Sequence, residues 1–314
     1  MTNRTGSPVL TLQPGRDRKI SPLFLSARPF RARFLRAFGH AGQHGTAADL
    51  DSAPRLGLDR ASRRRKRIHT VSDREPILNI PGVVSALTGA MILIHAARDW
   101  LIGEDADRQV LLTFAFIPAR FERSLAASWG FPGGVGGDAW TFVTYAFLHA
   151  DWTHLGVNVL WFLVFGSAVA RRFGTLRSLL FFAATSAAGA LAHLAAVGTA
   201  FVPVIGASAA VSGFTAAALR FVFQMGGPLG AMRASTEEAY RQPALSLAEM
   251  VRNGPIMGMT VVWIALNVAF GAVNLPMPGF EGQIAWQAHL GGFAAGLLLF
   301  RLFDPVPAGS IAAR

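Results

Sequence analysis

Val204-Ile205-Gly206-Ala207-Ser208-Ala209-Ala210 sets a serine among small residues at the mouth of an apolar run. Ala288-His289-Leu290-Gly291-Gly292 sets a histidine at the mouth of another. A nucleophile and a base that both stand where hydrophobic spans begin point to chemistry inside a membrane. The rest of the chain agrees with that setting. Hydrophobic residues make up 52% and charged ones 15%, against about 25% charged in soluble domains, and the mean hydropathy is +0.39.

The net charge of +11 belongs to one end of the chain. Residues 1–75 hold 16 of the 29 Lys+Arg, among them the run Arg63-Arg64-Arg65-Lys66-Arg67. They read as a disordered, cytoplasmic basic tail beside anionic membrane lipids, and no folded motif asks for nucleic acid. Residues 76–303 form the membrane domain, and 304–314 a short cytoplasmic C-terminal tail. The absence of cysteine excludes disulfides and a thiol nucleophile.

Six apolar segments are expected as helices: 80–102, 152–170, 176–197, 208–223, 256–273 and 286–303. Their lengths suit a hydrocarbon core of ~30 Å, and backbone groups in lipid must be satisfied within the segment, so the fold class is an all-α polytopic membrane bundle. With a cytoplasmic N-terminus, 25 of the 29 Lys+Arg fall on the inner side, as the positive-inside rule asks. Both termini are then cytoplasmic, in a multi-pass protein of a bacterial cell membrane. The first outer loop, 103–150, is long. It contains an apolar stretch that lies in the interface and a flexible turn at Gly133-Gly134-Val135-Gly136-Gly137.

In this topology the second, fourth and sixth spans enter from outside. Ser208, His289, His154 and Asn158 therefore share one depth. His154 and Asn158 are spaced i,i+4, about 6 Å apart along one helix face. They are candidate donors to a developing oxyanion, together with the backbone N–H of Ser208, or else they brace the helix top. His149 reads as a structural hydrogen-bonding residue of the outer loop, and His95 and His193 as structural too. No histidine spacing matches a zinc motif, and no metal is expected. The acids near enough to orient His289 are Asp138, Asp151 and Glu281, all in outer loops, so a Ser–His dyad is the economical arrangement. Gly292 and Gly296 share the face of His289 and let helix backbones approach.

These residues resemble the rhomboid family of intramembrane serine proteases over about residues 76–303. Gly206-Ala207-Ser208 looks like the nucleophile motif, and Ala288-His289 with Gly292 and Gly296 like the base motif. His149, His154 and Asn158 match the family's outer histidine and its oxyanion pair. The resemblance implies a six-helix bundle with a cavity open to the outside. It also implies cofactor-free hydrolysis of transmembrane protein substrates near their outer ends, under a cap around Leu275-Pro276-Met277-Pro278-Gly279-Phe280. Three positions depart from the pattern. Ala209 stands for a glycine, Ser212 for an aromatic that packs on the histidine in some members, and Thr141 for the arginine that follows the loop tryptophan, here Trp140. The rival reading is a catalytically silent rhomboid-like protein that binds transmembrane clients.

Overall fold

A computed structural model describes residues 80–230, 236–273 and 284–307. The expectations for the 1–75 tail, the cap around Leu275–Phe280 and Glu281 lie outside the described residues, as does 308–314 of the C-terminal tail. Six principal helices carry the architecture: α1 Gly82–Trp100, α2 Trp152–Phe173, α3 Thr175–Val197, α4 Ser208–Leu219, α5 Gly254–Ala272 and α6 Trp286–Phe303. Among the described residues there is no strand beyond one isolated bridge, Phe116 with Val204.

The helix ends follow local chemistry. Asp151 caps α2 by accepting the His154 N–H at 2.7 Å. Gly174, at φ +77°, turns the chain from α2 directly into α3, a backbone conformation that side chains disfavour. Asn253 caps α5 by accepting the Ile256 N–H at 3.2 Å, with Pro255 in the first turn. By length and composition α2, α3 and α5 can each cross a membrane. Large apolar side chains on these helices face outward, among them Leu160, Leu180 and Val262. Such an apolar exterior belongs against lipid rather than water.

α4 departs from its expected extent. It stops at Leu219 rather than continuing to Phe223, because the next residue, Arg220, is buried and spends its guanidinium on backbone oxygens. Nε and Nη2 donate to the Leu245 carbonyl at 3.0 and 2.7 Å, and Nη1 to Leu297 at 3.2 Å. Twelve residues cover about 18 Å, less than the core of a bilayer. Every residue of α4 after Ser208 is buried, so this helix is the centre of the bundle.

α3 and α6 pack on α4 through small residues. A Cβ on Gly292 would collide with the Ala209 backbone, and one on Gly296 with Gly213. On the other side of α6, a Cβ on Gly291 would strike Ala192. Toward the other end of α4, Phe214 meets Phe162 and Phe181 edge to face at 5.2 and 5.1 Å. There Arg172 and Asp304 form a buried bidentate pair at 2.8 and 2.9 Å, joining the ends of α2 and α6.

The loop between α1 and α2 is itself helical. It contains Glu104–Phe114, Pro118–Phe121, Arg123–Trp129 and Gly134–Thr144. The last of these corrects the expected flexible turn at Gly133–Gly137, because glycines 134, 136 and 137 lie inside a helix. They are small for packing reasons. The Trp140 indole folds back over Gly133 and Gly136, and Gly137 abuts the Arg120 guanidinium.

Candidate active site

Ser208 is the first residue of α4, held there by its approach loop. Phe116 and Val204 exchange backbone hydrogen bonds at 3.2 and 2.8 Å, and the Gly206 N–H donates to the Tyr145 carbonyl at 3.0 Å. Gly206 adopts φ +113°, and a Cβ there would lie 2.6 Å from His154 Nε2. Only glycine supplies both the turn and the space. His289, one turn into α6, reaches across the small-residue seam. Its Nε2 accepts from the Ser208 hydroxyl at 2.7 Å.

Its other nitrogen, Nδ1, lies 2.7 Å from Asn267 Oδ1 on α5. The Asn267 amide nitrogen donates to the Trp263 carbonyl at 2.8 Å, which turns the amide oxygen toward the imidazole. An amide oxygen only accepts, so Nδ1 carries the proton and Nε2 is the basic nitrogen. Of the three acids named from the sequence, the two among the described residues are engaged elsewhere: Asp151 caps α2 and Asp138 lies 3.8 Å from Arg120. The line Asn267–His289–Ser208 thus has the form of a nucleophile, a base and a residue that orients the base.

The candidate oxyanion donors stand beside this line. His154 Nδ1 accepts from the Ala150 N–H at 3.4 Å, which puts its proton on Nε2, the nitrogen against Gly206. Asn158 is buried, and its Nδ2 donates to the His154 carbonyl at 2.8 Å. One amide hydrogen therefore braces the helix. His149 is fully buried, and its Nε2 accepts from the Ala207 N–H at 3.4 Å, pinning the residue before the nucleophile. Burial, reinforced by the neighbouring His154 and His95, holds His149 well below the ordinary imidazole range, so it stays neutral and can accept. His193 contacts the Val202 carbonyl at 3.3 Å, and His95 packs edge-on against Trp152 at 4.7 Å.

The Rhomboid domain model matches residues 136–304, a span that contains Ser208, His289, His154, Asn158 and Asn267. The chain belongs to the rhomboid family. It is accordingly a membrane protein of an intramembrane-protease-like family. None of the curated proteins matches the chain.

Each departure from the rhomboid pattern has a local counterpart in this fold. The Ala209 methyl faces Gly189, where a second Cβ would lie 2.5 Å away, so the bulk added on α4 is matched by its absence on α3. Ser212 turns its hydroxyl back to the Ser208 carbonyl at 2.7 Å and offers no ring to the histidine. Thr141 is buried, and the loop is anchored instead by Arg120, whose Nη1 and Nη2 donate to Pro132 and Leu112 carbonyls at 3.0 and 2.6 Å. Arg120 also covers the Phe131 ring at 4.8 Å. Trp140 ties the same loop together from its exposed side through Nε1 and the Thr113 carbonyl, 2.9 Å away.

Asn267 is the residue that sequence reasoning passed over. It is the sole Asn, Gln, His or charged residue between Ile256 and Val273. A polar side chain so isolated in an apolar span is a signal in its own right.

Proposed function

We propose that this chain is an intramembrane serine endopeptidase that cuts transmembrane protein substrates near their outer ends. The observation that carries the proposal is the 2.7 Å hydrogen bond from the Ser208 hydroxyl to His289 Nε2, made between two helices whose glycines bring them together. As Ser208 Oγ bonds to the scissile carbonyl carbon, its proton passes to Nε2. The carbonyl oxygen becomes an oxyanion within reach of the His154 Nε2–H, the Asn158 amide and the first backbone N–H groups of α4. Collapse breaks the C–N bond, and the proton on Nε2 goes to the leaving amine. Water then gives a proton to Nε2 as its oxygen attacks the acyl carbon, and collapse breaks the ester C–O bond while the proton on Nε2 returns to Ser208 Oγ. No metal or cofactor takes part.

In this reading the six principal helices form a transmembrane bundle with the short α4 enclosed at its centre, and both termini lie in the cytoplasm of a bacterial cell. The tail, the 171–177 turn, the 220–252 segment and the C-terminus together hold 25 of the 29 Lys+Arg, which supports that orientation. The short α4 supports a nucleophile recessed below the outer surface, in reach of a substrate helix.

The purified protein should take up a fluorophosphonate at Ser208 and cleave a transmembrane reporter in micelles. Ser208→Ala and His289→Ala should each lose both activities while remaining folded, because nucleophile and base act as a unit. Full cleavage by Ser208→Ala overturns the mechanism. A folded wild-type protein that is never labelled yet retains a transmembrane client favours the client-binding reading instead.

A further inference from the structure

α5 touches α6 along one narrow stripe. Trp263 stacks on Phe293 at 4.3 Å and 20° between planes, Asn267 meets His289, and Gly271 lies against Trp286, where a Cβ would leave no room. The α5 residues are spaced four apart, which would walk off one face of an ideal α-helix. The π turn at Val268–Ala272 returns Gly271 to the face of Asn267. Of the α5 residues only Ile256, Thr260 and Gly271 are buried, so few other contacts hold this helix to the bundle. The central contact of this stripe falls on the imidazole that faces Ser208.

We propose that Asn267 is a positioning residue for His289, fixing the imidazole plane and its Nδ1–H tautomer from α5, so that a competent base requires that helix to be docked. The proposal rests on the Ser208–His289 reading above. An imidazole bonded only through Nε2 is free to place its proton on either nitrogen, and the Nε2–H form cannot accept from a serine hydroxyl. The Asn267 oxygen removes that freedom. Its own orientation is set by the bond from Nδ2 to Trp263, one turn back on the same helix. A neutral amide does this without burying a carboxylate beside lipid. Small Ser212, bonded to its own helix, does not contribute to holding the ring.

The test uses the full-length protein in micelles, with Asn267→Leu, which keeps the bulk and removes the acceptor, and Asn267→Asp, which keeps an acceptor oxygen. Kinetics with a transmembrane reporter, thermal unfolding and 15N signals of labelled histidine, assigned to His289 by their loss in His289→Ala, are read on each. The wild type should show a proton on Nδ1 and a bare Nε2. Asn267→Leu should lower kcat at least tenfold with KM within twofold and unfolding temperature unchanged, and should lose the Nδ1–H signature. Asn267→Asp should keep that signature and retain more activity than the leucine variant. A merely structural contact between helices would instead lower the unfolding temperature and leave the tautomer alone. Wild-type kcat in Asn267→Leu, or a wild-type His289 protonated on Nε2 or without preference, overturns the proposal. If Asn267→Leu does not fold, the wild-type and Asn267→Asp signals decide. If the wild type cleaves nothing and takes no fluorophosphonate, the active-site reading fails, while the tautomer signals still judge the role of Asn267.

Discussion

A hydroxyl hydrogen-bonded to a bare imidazole nitrogen is a nucleophile only if the charge it creates on the substrate has somewhere to rest. In the proposed mechanism His154 and Asn158 are the side chains that receive it. Asn158 has one amide hydrogen committed to the His154 carbonyl at 2.8 Å, so the two residues are also linked to each other. His154→Ala and Asn158→Ala should each lower kcat by 10²- to 10³-fold, about 3 kcal/mol of transition-state stabilisation, while leaving fluorophosphonate access to Ser208. Wild-type rates in both variants would reduce the pair to a brace for the top of α2. At this scale Ser208, His289, His154 and Asn158 were legible because each is a polar group in an apolar stretch with a chemical reason to be there. Asn267 was not singled out. The sequence gives no hint that α5 and α6 pair in the register that brings residues 267 and 289 together, and the usual group that orients a catalytic histidine is a carboxylate rather than an amide.

The helices meet closely enough for that chemistry because their facing residues lack side chains. Gly292 lies on the Ala209 backbone, one residue from the nucleophile, and Gly296 lies on Gly213. Gly292→Val should therefore separate α4 from α6, with an overpacking cost of about 1–3 kcal/mol or more. Fluorophosphonate labelling should fall even in the fraction that remains folded. Gly89→Ala in α1 is the control, since a Cβ there meets nothing within 4 Å. It should leave labelling intact and hold or raise the unfolding temperature. Equal losses in both variants would mean that the seam has no special tightness. The seam was readable from the i+3 and i+7 spacing behind His289. The end of α4 was not, because hydropathy continues to Phe223 and only the tertiary partners of Arg220 explain the stop. The helix at Gly134–Thr144 was missed for a similar reason. A glycine run signals a turn until the Trp140 ring that fills its surface is known.

Across the described residues, the candidate catalytic groups gather at one end of α4 and a buried ion pair stands at the other. Arg172 and Asp304 are 132 positions apart in the chain, yet they pair through two bonds. The Arg172 Nη1 also donates to Tyr240 and Gln242 carbonyls at 2.8 and 2.7 Å. Arg172→Met alone should cost about 3–5 kcal/mol, because it strands a buried carboxylate, and adding Asp304→Leu should recover part of that loss in thermal unfolding. The opposite end holds every candidate catalytic group, at or near the N-terminal starts of α2, α4 and α6, the helices that enter from outside in the proposed orientation. Cleavage should therefore fall toward the outer end of a substrate span. A substrate helix hides its carbonyls in its own hydrogen bonds and has to unwind before Ser208 can attack, and each Gly in place of Ala near the cut eases this by about 1 kcal/mol. Reporters carrying Gly or Pro beside the cut should be cleaved faster than an all-Ala-Leu span, and mass spectrometry of the fragments locates the bond. Cuts at the cytoplasmic end of the span would refute both the orientation of the bundle and the depth assigned to Ser208.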